Sequence, residues 1–481
     1  MRNLLVSLIF VIEALTLQAA EKPNIVFILA DDMGWSDMAF NGGKEHKHFY
    51  EAPHLDRLAA SGMVFSRAYS GGPNCLPTRS CLLSGMYTPR TQIWTPGGLS
   101  KGPTNKMRLL VPRKGDQQGN VFASKTELEP SVVSIAEVLN DAGYATGRFG
   151  KWHVGKDNQG FDVSDYNGKG AASGKFYGNI DVHQWLADAS CRFIESHKEE
   201  PFFLYLAHWD VHAPIKARED VKAKYKSKLQ SSQWDRKWNP TYAAMIEAVD
   251  KSVGKVQAKL DELGLAENTL FIFSSDNGGT PVTTMNPLRG AKGALYEGGV
   301  RVPTCMAWPK VIKPGTTCDT PITSVDFMPT FADLASAKLP SDQPVDGASI
   351  APLLRGDKID ERSIFWHYPL YLTGTGEGQV VPMFGTTANF WRGVPASAMV
   401  RGDWKLLHFF EDNSIRLYNL ADDIGESNNL AEAKPDVAAK LFSELKAWQS
   451  STGAVIPTQQ NPIFDKDASE TSTKKRRKKK Q

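Results

Sequence analysis

Apolar runs of strand length alternate along the chain with segments in which apolar residues recur at helical spacing. Continuous apolar runs are typical of parallel strands that are covered on both faces. Predicted strands lie at 24–30, 63–69, 144–149, 202–207 and 269–275. Predicted helices lie at 53–60, 130–142, 182–196 and 242–263, and a Gly follows the first, second and fourth of them. Regular alternation of strand and helix indicates an α/β fold.

Polar residues that could carry chemistry follow the carboxyl ends of these predicted strands. Open parallel sheets place their sites along that edge, so residues far apart in sequence are expected to converge there. The residues concerned are Asp31, Asp32, Lys151, His153, His208, His212, Asp276 and Asn277. Carboxylate and amide oxygens suit calcium or magnesium. An Asp-Asp pair alone is more often a turn or a helix cap, and two such pairs at two strand ends favour the metal.

The pattern changes after about Glu361, where aromatic, Gly-rich and Pro-rich segments begin. Strands are predicted at 400–410 and 416–420 and a closing helix at 434–450, which together indicate a small α+β domain with an antiparallel sheet. The predicted division of the chain is a leader at 1–20, a large domain at 21–365, a smaller C-terminal domain at 366–455 and a flexible polar tail at 456–481.

The first 20 residues have the layout of a secretory signal peptide, with Arg2, an interrupted apolar stretch from Leu4 to Leu17, and Ala19-Ala20. The apolar stretch is too short and interrupted to serve comfortably as a permanent anchor. We therefore expect export to the periplasm or outside the cell, with no transmembrane anchor.

Charge is distributed unevenly over the 481 residues. The net charge is +3, yet residues 474–480 are all Lys or Arg, so the rest of the chain is mildly acidic. A mildly acidic body argues against a specific nucleic-acid partner, because such binding needs basic residues spread over a face or groove. The basic run could be an ionic tether to an anionic polymer, although a solvated tail is the simpler interpretation.

Five cysteines remain in the exported chain, so at least one is unpaired or chemically special. A pairing of Cys305 with Cys318 is left open. Cys75 precedes Pro77 and Arg79, and Pro77 fits the first turn of a helix, which places Cys75 at the N-terminus of that helix. Free backbone N–H groups there favour anions, whereas the alternative for a free Cys is a small buried hydrophobe.

The Cys-x-Pro-x-Arg element, here Cys75, Pro77 and Arg79, resembles the signature of the type I sulfatases, whose members convert that cysteine to formylglycine. Further elements of that family follow the same order in this chain. They are the opening strand with residues 31–34, Gly150 to Gly155, Asp276 to Gly279, and 289–299 with Lys292. The match covers roughly residues 21–450. It implies the alkaline-phosphatase-like fold, in which a large, mixed and mostly parallel sheet is sandwiched by helices.

The resemblance also implies the composition of the site. One Ca²⁺ would be bound by Asp31, Asp32, Asp276, Asn277 and the oxidised Cys75. The sulfate would be contacted by Lys151, Lys292 and His212, while Arg79 and His153 would hold and activate the formylglycine. His208 is expected to be a wall residue. Ala291 replaces a frequent Gly, and Leu76 is bulkier than usual, which could slow conversion of Cys75.

The implied chemistry has two steps. A hydroxyl of the hydrated aldehyde attacks sulfur with Asp276 as base, and His212 or Lys292 protonates the leaving oxygen. His153 then removes the proton from the second hydroxyl, so that sulfate leaves. Maturation implies a formylglycine-generating enzyme as a partner.

The substrate is expected to be a sulfated carbohydrate, because the chain is exported. Sugar platforms could come from Trp366, His367, Tyr368 and Trp391, although core packing explains such residues equally well. Segments 95–129 and 166–178 could be loops over the cleft. Two other functions stay open. One is a phosphonate or phosphodiester hydrolase of the same superfamily, and the other is a non-catalytic glycan-binding protein in which Cys75 remains a thiol.

Overall fold

The structure is a computed structural model that describes residues 22–41, 49–100, 102, 104–112, 124–165, 178–230, 238–373 and 391–465. The predicted leader, nearly all of the 166–178 segment and the basic run lie outside the described residues. The strands are β1 Asn24–Ala30, β2 Met63–Phe65, β3 Ala68–Tyr69, β4 Ala145–Gly150, β5 Val163–Ser164, β6 Phe202–Ala207, β7 Thr269–Ser275, β8 Cys305–Ala307, β9 Thr316–Cys318, β10 Ile322–Thr323, β11 Ser363–Tyr368, β12 Leu372–Thr373, β13 Trp391–Gly393, β14 Ala396–Arg401, β15 Trp404–Phe409 and β16 Ile415–Asn419. The α-helices are Pro53–Ala60, Cys75–Ser84, Thr88–Thr91, Ile135–Asp141, Val182–Ser196, Glu219–Leu229, Pro240–Glu262, Glu297–Val300, Phe327–Ala335, Ala351–Leu354 and Pro435–Thr452.

An eight-stranded sheet in the order β5-β4-β6-β1-β7-β8-β2-β9 forms the centre of the large domain. The first five of these strands are parallel to one another, and β8 runs antiparallel to both β7 and β2. Alternate side chains of β1 pack into two different cores, with Ile25 and Phe27 in one and Val26 and Ile28 in the other. The α/β class and the mostly parallel, helix-covered sheet are therefore confirmed.

A four-stranded antiparallel sheet, β11-β14-β15-β16, forms the C-terminal part of the molecule. The helix Pro435–Thr452 packs on one of its faces, where Phe365 and Trp448 stack with ring centroids 4.7 Å apart. The antiparallel sheet and the closing helix are confirmed. The division between residues 365 and 366 stays a prediction, and β11 runs across that position.

Two of the predicted elements differ in their limits. The helix predicted from residue 130 begins at Ile135, because the side chain of Ser134 caps the amides of Ala136 and Glu137 and the Glu137 carboxylate accepts from the Ser134 amide. The strand predicted at 63–69 is two strands, because the chain leaves the large sheet after β2 and pairs β3 with β10.

All five cysteines are free thiols. Cys305 pairs with Val64 on one side of β2, and Cys318 pairs with Phe65 on the other side. Two strand spacings, about 9.5 Å, therefore separate these two cysteines, which is more than a disulfide spans. Within the described residues, the helices are too short or too polar to cross a bilayer.

A fully buried charge cluster joins the small sheet to the large domain. The Nζ of Lys405 on β15 lies 2.8 Å from the Glu297 carboxylate and 3.0 Å from that of Glu426. Glu297 also accepts from the hydroxyl of Tyr69 and pairs with Arg301. Burial raises the pKa of Glu426 to about 7, whereas Lys405 and Arg301 outweigh burial at Glu297 and lower its pKa. The cluster holds the segment just after Lys292 against the C-terminal sheet.

We expect Lys405→Met to destabilise the fold by about 3 to 5 kcal/mol, because it leaves the buried carboxylate of Glu426 without a cation and leaves Glu297 with Arg301 alone. The loss should be smaller at acidic pH, where both carboxyls can be protonated. The measurement is the denaturant midpoint followed by tryptophan fluorescence. Lys259→Met, which removes the exposed pair with Glu262, is the control and should leave the midpoint unchanged. Equal midpoints for the two variants would contradict this role of Lys405.

Candidate functional site

Four neighbouring strands bring the predicted site residues to one edge of the large sheet. The strands β4, β6, β1 and β7 lie side by side and run in the same direction. Their carboxyl ends lead to Lys151, His208, Asp31 and Asp276 respectively. The backbone ladder continues past the strand ends, since the amide of Lys151 donates to Ala207 and that of Asp276 to Ala30. The convergence expected from the sequence is present.

Cys75 is the first residue of the helix Cys75–Ser84, which follows Asn74 in extended conformation. The side chain of Cys75 is 1% exposed, and the Nζ of Lys292 donates to its Sγ at 3.1 Å. Burial raises the pKa of the Cys75 thiol to about 11, and the charges of Lys151 and Lys292 oppose that rise. Position 75 is therefore a buried point at a helix N-terminus, with two ammonium groups around it.

Three buried carboxylates around Cys75 are each paired with a cation. The Nζ of Lys151 lies 2.5 Å from Asp31 Oδ2, and the Nζ of Lys292 lies 2.5 Å from Asp32 Oδ1. Arg79 donates from Nε and Nη2 to Asp276 Oδ2 at 2.9 and 2.8 Å, and from Nη1 to the backbone oxygen of Lys151 at 2.6 Å. Such pairing is what makes the burial of these charges tolerable. Arg79 also fixes the position of the loop that carries Lys151.

Several oxygen atoms at this edge suit a hard divalent cation. Asp31 Oδ1 and Asn277 Oδ1 are buried and have no hydrogen-bond partner among the described residues. Asn277 donates from Nδ2 to Asp32 Oδ1 at 2.8 Å, so the Oδ1 of Asn277 points away from that carboxylate oxygen. Donor atoms of Asp31, Asp32, Cys75 and His212 lie within 4.8 Å of one another. Asp276 lies beside this group and is not one of its members, and its Oδ1 accepts from the amide of Asp32 at 3.2 Å. Calcium prefers oxygen ligands. The unpartnered oxygens of Asp31 and Asn277 are therefore suitable ligands for it.

The three histidines differ in their surroundings. Burial, with help from the charges of Lys151 and Arg79, lowers the pKa of His153 well below its usual value, and Nδ1 has no hydrogen-bond partner within the part of the chain that is described. His212 donates from Nδ1 to the backbone oxygen of Ala213, and its Nε2 lies 3.7 Å from Asp32 Oδ2. His208 is fully buried, which lowers its pKa to about 3. His153 and His208 are therefore neutral near neutral pH.

The aromatic residues considered as sugar platforms belong to the protein core. Trp366, His367, Tyr368 and Trp391 are each at most 2% exposed. His367 is held by the hydroxyl of Ser397 and the backbone oxygen of Val455. Core packing therefore accounts for the four rings, while the Oη of Tyr368 is buried with no partner at hydrogen-bonding geometry among the described residues. One cation beside them, Arg392, was not singled out from the sequence because it belongs to none of the recognised motifs, and only the fold brings it near Lys292.

The comparisons with known proteins agree with this geometry. A family model described as Sulfatase matches residues 23–337, and one described as N-sulphoglucosamine sulphohydrolase, C-terminal, matches residues 291–451. A protein of Formosa agariphila named Sulfatase is 34% identical over 89% of this chain and 89% of its own length. N-acetylgalactosamine-6-sulfatase of Mus musculus is 30% identical over 80% of this chain and 76% of its own length.

A solved structure supports the same relationship. The crystal structure of Ps i-CgsB in complex with k-i-k-neocarrahexaose superposes with a TM-score of 0.67 and 26% identity, and the match covers 89% of this chain and 93% of that one. The Sulfatase family model covers well over half of the chain. The large eight-stranded sheet, the residues at its strand ends and Cys75 all lie in the matched region. The chain therefore belongs to the sulfatase family, the sulfuric ester hydrolases of the alkaline phosphatase superfamily.

Proposed function

We propose that this protein hydrolyses a sulfate ester on a sulfated carbohydrate, with a formylglycine made from Cys75 and one calcium ion at the strand ends. The observation that carries the proposal is the position of Cys75 Sγ, 3.1 Å from Lys292 Nζ and surrounded by three buried pairs of cation and carboxylate. The glycan part is supported by relatives, one named for N-acetylgalactosamine 6-sulfate and one solved with a neocarrahexaose.

The residues of the chain that surround Cys75 have distinct proposed roles. When present, a formylglycine at position 75 supplies the hydroxyl nucleophile, and calcium held by Asp31, Asp32, Asp276 and Asn277 neutralises negative charge on the sulfate. Lys151 and Lys292 provide fixed positive charge where the sulfate oxygens gather. Arg79 holds Asp276, the proposed base, through two hydrogen bonds.

Two histidines are proposed to move protons. His153 is neutral at neutral pH because its pKa is lowered, so it can accept a proton at its unpartnered Nδ1. The Nδ1 proton of His212 is held by the backbone oxygen of Ala213, which turns Nε2 toward the carboxylate of Asp32. His212 or Lys292 would protonate the leaving oxygen. Export to the periplasm or outside the cell, and maturation by a formylglycine-generating enzyme, are part of the same proposal.

Two other functions make different demands on the site. A phosphonate or phosphodiester hydrolase would use the same nucleophile and would turn over a phosphodiester faster than a sulfate ester. A non-catalytic glycan-binding protein would keep Cys75 as a thiol. The buried cations speak against the second function, because a site that only binds sugar does not need three buried pairs of ions beside a cysteine.

Production of the protein with a formylglycine-generating enzyme tests the proposed nucleophile. We expect peptide mass spectrometry to find an aldehyde at position 75 and the protein to hydrolyse N-acetylgalactosamine 6-sulfate or another sugar of a sulfated panel. Cys75→Ala should lower turnover by at least about 10³-fold, because the nucleophile is lost. Cys81→Ala, on the same buried helix, is the control and should keep both the aldehyde and the turnover. Undiminished turnover in Cys75→Ala would contradict the mechanism, and faster turnover of a phosphodiester would favour the first alternative.

Removal of calcium tests the proposed metal site. A chelator should abolish turnover and lower the melting temperature, and added Ca²⁺ should restore both, because a ligand that binds only the folded state stabilises it by about 2.7 kcal/mol at a hundred times its Kd. Asp31→Asn should weaken the calcium response. Asp188→Asn, whose carboxylate pairs with Lys255 at the surface, is the control and should respond as the natural protein does. If neither the melting temperature nor the turnover changes with chelator or with added calcium, the proposed calcium site is contradicted.

A further inference from the structure

Arg392 is a buried cation on the side of the site that faces the C-terminal sheet. It lies on β13 and is 7% exposed. A Cβ placed on Gly293 would lie 3.7 Å from both the Cβ and the Nε of Arg392. The side chain therefore passes directly against the residue that follows Lys292, the lysine in contact with Cys75.

Unlike Arg79, Lys151 and Lys292, Arg392 forms no ion pair with a carboxylate among the described residues. Asp31, Asp32 and Asp276 already have Lys151, Lys292 and Arg79 as close partners. The Nε of Arg392 has no hydrogen-bond partner in the described part of the chain. Burial lowers the pKa of Arg392, and Asp32, Tyr368 and Cys75 are the anionic or ionisable groups that act on it. A guanidinium stays charged in proteins, so within the described residues the site contains a buried positive charge in excess of its carboxylates.

Other polar atoms on this side of the site also lack partners. The Oη of Tyr368 and the Nδ2 of Asn74 are buried and meet no partner at hydrogen-bonding geometry among the described residues. Asn74 and Thr95 nevertheless lie close enough to Tyr368 to oppose the rise in its pKa that burial causes. Asn74 is the residue directly before Cys75. Buried polar groups whose mutual contacts fall short of good hydrogen-bonding geometry are costly unless a ligand completes them.

We propose that Arg392, with Tyr368 and Asn74, binds a second anionic group of the substrate, a carboxylate or a second sulfate, next to the sulfate that is cleaved. A planar guanidinium recognises either group through two parallel hydrogen bonds. The cleaved sulfate itself is assigned to Lys292, whose Nζ lies 3.1 Å from Cys75 Sγ, and to Lys151, which pairs with Asp31 beside it. The inference rests on the proposed function and narrows its substrate to a sugar with at least two negative charges.

The test compares three probes with Arg392→Gln, Arg392→Lys and the control Arg401→Gln, whose side chain pairs with Glu361 and Glu444 away from the site. The probes are N-acetylgalactosamine 6-sulfate, N-acetylgalactosamine 4,6-disulfate, and the disaccharide of a uronic acid with N-acetylgalactosamine 6-sulfate. We expect Arg392→Gln to lower kcat/KM by about 30-fold on at least one doubly charged probe and by less than about 3-fold on the monosulfate. Arg392→Lys should fall between, and the probe that is affected identifies the second group as sulfate or carboxylate.

Equal losses on all three probes would overturn the inference, since Arg392 would then act on the cleaved sulfate or on the fold. Unchanged values on all three would overturn it as well. Melting temperatures of the variants show whether the protein still folds.

Calorimetric binding of the same probes to Cys75→Ser, with and without Arg392→Gln, separates this inference from the proposed function. If no probe is hydrolysed but a doubly charged probe binds at least about 10-fold more weakly without Arg392, the inference stands and the proposed function fails. If the doubly charged probes do not bind, or bind equally well with and without Arg392, the inference is contradicted.

Discussion

The balance of buried charge at the carboxyl edge of the large sheet is the constraint on which the site depends. Asp31, Asp32 and Asp276 lie where burial penalises a carboxylate, and each is held by one cation. The parallel strands provide the positions, because their carboxyl ends meet at one edge. Cys75 does not follow one of these strands. It is the first residue of a buried helix and lies near the ammonium groups of Lys151 and Lys292. The pairing thus makes the site stable before any ligand binds.

The same balance connects the site to the small domain. Lys405 pairs with both Glu297 and Glu426, and Glu297 begins the short helix that follows the loop of Lys292. Arg392 reaches this loop from β13, where Gly393 approaches the backbone oxygen of Gly293 so closely that a Cβ would lie 2.3 Å from it. The C-terminal sheet therefore supports one wall of the site through Lys405, and the neighbouring two-stranded sheet β12-β13 adds the positive charge of Arg392 to that wall. A sulfated sugar would meet residues from both parts of the chain.

Much of this arrangement could be predicted from the sequence, and the reason is physical. The runs at 24–30, 202–207 and 269–275 are apolar on both faces, so their strand limits are confirmed to the residue. The convergence of Asp31, Lys151 and Asp276 follows from the parallel sheet. The features that were missed are one local capping box and the contacts between distant segments. The Ser134 cap moved a helix start, and the aromatic segment at 366–368 proved to belong to a strand. Arg392 belongs to none of the recognised motifs, so only the fold shows its charge to be unmatched.

A crystal structure of the mature protein, grown with calcium and a bound sulfated sugar, would show whether the buried carboxylates hold a cation while the lysines bind sulfate. The Nζ atoms of Lys151 and Lys292 lie against Asp31 and Asp32. The account predicts one cation about 2.3 to 2.6 Å from oxygens of Asp31, Asp32, Asp276 and Asn277, with both lysines turned to the sulfate. Lysines that remain on their carboxylates, with no cation among the four residues and the sugar bound elsewhere, would contradict it.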